Sequence, residues 1–385
     1  MRASDAPVAS SETAWLFSAP VDLAVFAGSA AISALFVALG PVLGVRDDFP
    51  LWAFVLFVVC VDVAHVWSTL WRVYFDAAEL RRRLALYLGV PIAVYALGFA
   101  AFQQSALTFW RLFAYAALFH FIRQQYGWMA LYGRKARTPA FDRRLDAAVI
   151  YACTLGPALW WHANLPRPFW WFVTGDFVGL PHWVGTVALA LHWAILGAWL
   201  LRQGQQAVRR QGVVPGKLLL VAATWVAWYG GIVLTRSDYA FTVMNVVLHG
   251  VPYFALLYRY ARGRHAESDG GYRAFGVLLR FGVPGFLAVL FAFAFAEELL
   301  WDRLVWHEHA QLFGASSFAL EPVLLGFVVP LLAVPQATHY VLDAFIWKAG
   351  RDRALRTRLG WATARAKEQP PEVAVDNPEG VSLMP

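Results

Sequence analysis

The feature that most constrains this chain is a series of ten apolar segments, each long enough to cross a bilayer. A helical span takes about 20 consecutive, mostly apolar residues. Stretches of that length fall at roughly 20–45, 50–75, 84–103, 106–131, 145–165, 183–203, 216–235, 240–261, 275–299 and 318–347. In hydrocarbon every backbone polar group must be bonded within the chain, so repeated spans of this kind are helices. The expected fold class is therefore all-α, a polytopic integral membrane helical bundle of about ten transmembrane helices. Composition agrees, with 59% hydrophobic and only 15% charged residues over 385 positions; a soluble domain carries about a quarter charged residues.

Basic residues set the expected orientation. The loops after the second, fourth, sixth and eighth segments hold Arg81, Arg82 and Arg83, then Arg134, Lys135, Arg137, Arg143 and Arg144, then Arg209, Arg210 and Lys217, then Arg262, Arg264 and Arg273. The alternate loops hold only Arg46, Arg167, Arg236 and Arg303. The positive-inside rule then puts both termini in the cytoplasm and suits a bacterial inner membrane. These loops account for the formal charge of +7 without a nucleic-acid partner. The partner that composition demands is the lipid bilayer, and nothing in the sequence sets an oligomeric state. Residues 1–15 read as a disordered tail, 16–350 as the transmembrane domain, and 351–385 as a basic and then disordered cytoplasmic tail. Cys60 and Cys153 each lie inside an apolar segment, so neither a disulfide framework nor a cysteine metal site is on offer.

The informative residues are the polar ones inside apolar segments, because a polar group at that depth is expensive and faces a partner or a cavity. Positions three and four apart share a helix face. In VDVAHVWSTLWR, Asp62, His65, Thr69 and Arg72 step by three, four and three. In FHFIRQQYGW, His120 stands one turn before Arg123 and Gln124. Asn245 and His249 are four apart in NVVLHGVPYF, and Gln336, His339 and Asp343 step by three and four in PQATHYVLDAF. Each of four even-numbered segments thus carries one polar stripe with one histidine. Those four segments run in the same direction, and the histidines lie at similar depth.

Imidazole is a common ligand for iron, copper and zinc. His65, His120, His249 and His339 are accordingly the expected ligands of one metal ion. Asp62 and Asp343 are expected to take part in catalysis, as ligands or as acceptors of a ring N–H that set its tautomer. Thr69, Arg72, Arg123, Gln124, Asn245 and Gln336 complete the stripes as candidates for supporting the ligands or touching substrate. The arginines at the helix ends also read as positive-inside residues, or as a ring for an acidic headgroup or haem propionates. Trp306-His307-Glu308-His309 reads as an outer loop, and Glu297 and Glu298 as the outer end of the ninth segment. Pro252 and Pro335 break backbone bonds within a turn of a site histidine and are expected to kink their helices around a cavity.

A polytopic chain with single histidines on several helices, one followed by an aspartate a turn later as in VPQATHYVLDAF, resembles the Brp/Blh membrane family of β-carotene cleavage dioxygenases. The likeness covers the surroundings of His65, His120, His249 and His339, and here Asp62 precedes its histidine where that family places an aspartate after it. The resemblance implies iron held by histidines dispersed over helices and oxygen-dependent cleavage of a carotenoid double bond. The H-x-x-x-H and H-x-x-H-H boxes of membrane desaturases and hydroxylases are absent.

The expected function is a membrane-embedded polyhistidine metal oxygenase, with Fe(2+) as cofactor, acting on a hydrophobic small molecule that enters from the lipid. Four neutral histidines leave a ferrous ion with open positions, and an apolar shell excludes water. Two alternatives come from other classes. In a haem-binding electron-transfer protein, pairs of these histidines would be axial ligands. In a proton-coupled membrane transporter, Asp62, His65, His339 and Asp343 would relay protons.

Overall fold

The structure is a computed structural model that describes residues 14–45, 49–167, 170–267, 272–315, 318–348 and 352–361. Most of the expected N-terminal tail, Arg46, Arg351 and the expected disordered tail from 362 onward lie outside the described residues.

Among the described residues every regular element is helical. Ten long helices follow one another: α1 (Ala19–Leu39), α2 (Leu51–Tyr74), α3 (Leu84–Gln104), α4 (Ala106–Lys135), α5 (Ala140–Ala163), α6 (His182–Val208), α7 (Pro215–Leu234), α8 (Asp238–His265), α9 (Phe275–Trp306) and α10 (Pro322–Ile346). Eight of them are long and apolar enough to cross a membrane. The other two, α4 and α5, have the length, at 30 and 24 residues, but a higher charge content. Arg111, Arg123, Arg134 and Lys135 fall on α4, and Asp142, Arg143, Arg144 and Asp146 on α5. Both pack into the bundle, α4 against α3 and α5, and α5 against α6.

The bundle is organised around α8. Of its apolar stretch 78% is buried, against 11% for the peripheral α3. It packs on α1, α2 and α7 along its length and on the short helix Arg353–Arg358 at its end. Lipid tails are as apolar as leucine, so membrane helices associate through close packing and polar contacts, and small residues are favoured where backbones meet. Gly250 is such a point: a Cβ there would stand 2.7 Å from Val61 Cγ1 and 3.2 Å from the Val61 carbonyl oxygen. Only a glycine lets α8 come this close to α2, and it does so beside His249.

Two of the helices that carry histidines are irregular. In α2, Phe54–Val63 and Leu70–Tyr74 are wound in wide π turns, with the α-helical Ala64–Trp67 between them. Such turns cluster at functional sites because they re-aim side chains along a helix. In α10, the stretches Pro322–Leu332 and Val334–Ile346 join at Ala333, with Pro330 and Pro335 on either side.

At the end of the bundle where α2, α8 and α10 finish, many of the expected loop cations are paired. Arg72 meets Glu79 at 3.2 Å, Arg264 meets Asp76 at 2.6 Å, and Lys217 meets Asp146 at 2.6 Å. A buried charge left without a partner is strongly destabilising, so these pairs are required by the burial of their members. Arg353–Arg358 is capped by Asp352, whose carboxylate accepts from the Leu355 amide at 2.9 Å. This helix buries Leu355, pairs Arg358 with Glu267 at 2.6 Å, and leads to Trp361, whose indole donates to the Leu16 carbonyl. The first part of the expected C-terminal tail is therefore packed against the helices.

Candidate metal centre

Four helices, α2, α4, α8 and α10, each contribute one imidazole to a single buried site. His65, His120, His249 and His339 are between 0% and 4% exposed, and one ligand nitrogen from each lies within 4.8 Å of those of the other three. The His65 and His249 rings meet edge to face, with centroids 4.5 Å apart and Nε2 atoms 3.0 Å apart. His120 lies 4.7 Å from His339 and 5.0 Å from His249 between ring centroids, and His65 lies 5.0 Å from His339. An ion bound at about 2.1 Å by four nitrogens holds them about 3.0–4.2 Å apart. Small side-chain rotations therefore suffice to close the set around one ion.

The hydrogen-bond inventory points the same way. Nε2 of His120 and Nε2 of His339 are buried without a partner, as are Nδ1 of His65 and Nδ1 of His249. Each unsatisfied buried polar atom costs about 1–3 kcal/mol. Those of His120 and His339 are free to face the centre of the cluster, where His65 and His249 bring their Nε2 atoms 3.0 Å apart, while the two Nδ1 atoms lie on the far side of their rings. His339 is oriented by Thr69, whose hydroxyl lies 2.9 Å from Nδ1. With Nδ1 protonated and donating to that oxygen, Nε2 presents its lone pair inward, which is the usual way in which a neighbour prepares a ligating histidine.

Aromatic rings form the walls. Phe121 lies flat on His249 at 3.7 Å and 5°, and Tyr340 stacks on His120 at 4.7 Å. Tyr253 presents its ring edge-on to His65 and His339, at 6.1 and 5.3 Å. Its hydroxyl donates to Asp343 Oδ1 at 2.6 Å, and the Trp347 indole reaches the same oxygen at 3.3 Å.

The carboxylates stand one shell further out than their spacing suggests. Asp62 Oδ1 is 3.7 Å from His65 Nδ1, and Asp343 Oδ1 is 3.8 Å from His339 Nδ1. Both distances exceed hydrogen-bond length. A one-turn spacing puts the aspartate and the histidine on one face, but in neither pair does the carboxylate come within bonding reach of the ring. Thr69, from a different helix, takes the place at His339 expected for Asp343. The Asp62 side chain is about one-third accessible, against 12% for Asp343.

The remaining stripe residues divide. Arg72 is 1% exposed; it donates to the Tyr260 hydroxyl at 3.1 Å and the Ile346 carbonyl at 3.0 Å, and its guanidinium sits 5.7 Å from the centre of the Trp347 ring. It thus supports the floor below Asp343. Asn245 donates to the Phe241 carbonyl at 2.9 Å, leaving its Oδ1 buried and unpartnered. Both amide atoms of Gln124, one turn beyond His120, are also buried without partners. Gln336 is half-buried. Arg123 is not brought to the site. It is exposed, donates to the Tyr151 hydroxyl, and lies over the Tyr126 ring.

The expectation for Glu297 and Glu298 is corrected by their burial, at 4% and 9% exposure within α9. Glu297 accepts from Trp67 at 2.7 Å, between His65 and Thr69 in sequence, and from Trp301 at 3.3 Å. Asp62 and both glutamates are close enough to interact electrostatically. Carboxylates inside an apolar segment were the signal for these two. For Tyr253 the signal was its place four residues after His249, on the stripe that begins at Asn245.

No family model, no curated protein and no solved structure matches this chain. Chemically, four neutral nitrogen donors suit a late first-row transition metal, and they leave positions open on an octahedral ion.

Proposed function

We propose that this chain is a membrane-embedded polyhistidine metal enzyme, a non-haem iron oxygenase acting on a lipid-soluble substrate. The observation that carries the proposal is the convergence of four buried imidazoles from four different helices, one nitrogen of each within 4.8 Å of the others. Iron suits a site with nitrogen donors only and room for further ligands. The apolar walls formed by Phe121, Tyr340 and Tyr253 suit a hydrophobic substrate and keep water from the ion. When bound, the metal supplies the activation of dioxygen. The chain's own residues orient His339 through Thr69, and hold Asp343 through Tyr253 and Trp347 as a carboxylate one shell from the ion. The likeness to the Brp/Blh family enters through dispersed-histidine iron binding, and carotenoid cleavage is not part of the proposal.

The same proposal takes all ten long helices as membrane spans, with both termini in the cytoplasm of a bacterial cell and the protein in the inner membrane. The packing of α4 and α5 among the apolar helices and the basic loops at one end support it.

Haem is disfavoured as the occupant. Axial nitrogens stand about 4 Å apart across a flat macrocycle, whereas four imidazoles with neighbouring centroids 4.5–5.0 Å apart fill that plane. The proton-relay reading draws on the carboxylates, since Asp62 stands beside His65 and Asp343 beside His339. Proton-coupled uptake by proteoliposomes would favour that reading.

Elemental analysis of detergent-purified protein, expressed in metal-replete medium, tests the central proposal. One iron per chain, without a Soret band, is the expected result. A substoichiometric content of every transition metal overturns it.

A further inference from the structure

A second site lies where α2 and α10 end. A cavity of about 210 Å³ is lined by Arg72, Arg82, Arg83, Phe345, Ile346, Lys348 and Asp352. That is many times the roughly 10–15 Å³ needed to admit one water. Four cations face it. Glu79 takes Arg72 and Arg82 at 3.2 and 2.7 Å, and Asp352 takes Arg82 at 3.3 Å. Four cations against two carboxylates leave two positive charges, and these are Arg83 and Lys348. Arg83 makes one long contact, 3.4 Å to the Phe345 carbonyl, and the Lys348 ammonium lies 4.9 Å from the centre of the Phe345 ring. Among the described residues neither has a carboxylate partner.

The depth of this cavity follows from the sequence. Arg83 immediately precedes Leu84, the first residue of an apolar membrane helix, and Lys348 follows Ile346, the last residue of another. The two unpaired cations therefore stand at the boundary between hydrocarbon and water, where lipid phosphates lie. Leu84, Leu88, Val341 and Phe345 are exposed next to them on α3 and α10. These provide an apolar surface for acyl chains below a charged pocket.

We propose that this cavity binds the phosphate headgroup of an anionic membrane lipid, with Arg83 and Lys348 as the principal contacts. Basic pockets between membrane helices recognise lipid headgroups through this combination of charge and depth. The site is separate from the four histidines. It adjoins them through Arg72, which packs on Trp347, the residue that donates to Asp343.

The test uses the full chain purified in detergent and exchanged into nanodiscs of phosphatidylcholine with or without phosphatidylglycerol. Native mass spectrometry counts the phosphatidylglycerol that remains bound. The wild type is expected to retain it in preference to phosphatidylcholine. The double variant Arg83→Gln/Lys348→Gln is expected to bind it about 30-fold more weakly, each basic side chain at a membrane surface being worth about fivefold. Both side chains are partly or fully exposed, so the variant keeps the packed core. Equal retention by the double variant overturns the proposal, and so does an equal loss in Arg134→Gln/Arg209→Gln, which removes two exposed cations elsewhere. Inorganic phosphate separates the sources. If phosphate alone raises the wild-type melting temperature as much as the lipid does, the site is one for free phosphate and the lipid assignment falls.

Discussion

The hydroxyl of Thr69 on α2 lies 2.9 Å from Nδ1 of His339 on α10, a contact between residues 270 positions apart. It ties two of the four helices that bear histidines and fixes which nitrogen of His339 faces the other three. Replacing Thr69 by Val removes the oxygen while keeping the shape. Metal affinity is then expected to fall about 10–100-fold, the usual loss for a group that orients a ligand. Thr69→Ser should restore most of it. Asp343→Asn is expected to cost less, because its carboxylate stands 3.8 Å from the ring and already holds Tyr253 and Trp347. Metal titration after chelation ranks the three variants, and a larger loss in Asp343→Asn than in Thr69→Val would show that the carboxylate, not the hydroxyl, sets the ring.

The unpartnered Nε2 of His339 predicts different effects of one substitution in two states. Without metal, His339→Leu removes that unsatisfied atom but strands the buried Thr69 hydroxyl, so the two changes offset and stability should shift little. With metal at 100 times its dissociation constant, the wild type gains about 2.7 kcal/mol and the variant gains far less. Thermal unfolding with and without added ferrous iron measures both. Equal responses to iron in the two proteins would remove His339 from the site.

Gly250 is expected to be intolerant of any side chain. Gly250→Ala drives its Cβ against Val61 of α2 and should cost about 1–3 kcal/mol, the range for overpacking. Because the same contact sets the 3.0 Å approach of His65 and His249, metal occupancy should fall with stability. Occupancy that stays whole in a destabilised Gly250→Ala protein would uncouple the helix contact from the site.

Glu79 predicts an acid-sensitive end of the bundle. Burial pushes its carboxyl up, but Arg72, Arg82 and Tyr87 together outweigh that and hold it below its ordinary value. A lowered folded value means that its contribution is complete at neutral pH and is lost as pH falls through and below the usual carboxylate range of about 4.3. Glu79→Gln should flatten this acid limb. It should also cost about 3–5 kcal/mol at neutral pH by leaving Arg72 without its carboxylate. Unfolding midpoints across pH 3–7, compared between the two proteins, check the sign.

The sequence by itself determined the class of fold and the members of the histidine cluster. Ten apolar stretches admit helices only, because lipid offers the backbone no partners. Single histidines on stripes in four of them were visible because a polar group at that depth stands out against leucine and phenylalanine. The angular position of a residue on its own helix is local and follows from 3.6 residues per turn, so His65, His120, His249 and His339 could be read together. Distances between helices are not local. Whether Thr69 or Asp343 reaches His339 depends on how α2 lies against α10, and that is set by packing along both, including wide turns and prolines that no spacing reveals. Arg123 stands next to Gln124 on α4 in sequence, yet one position of rotation, about 100°, sends it to the outside of the bundle. Glu297 looked like an end residue because depth along α9 was legible and facing was not. Only the tertiary structure could bring Trp67 to it, and only the meeting of α2, α3 and α10 could place Arg83 and Lys348 around one cavity with no carboxylate partner among the described residues.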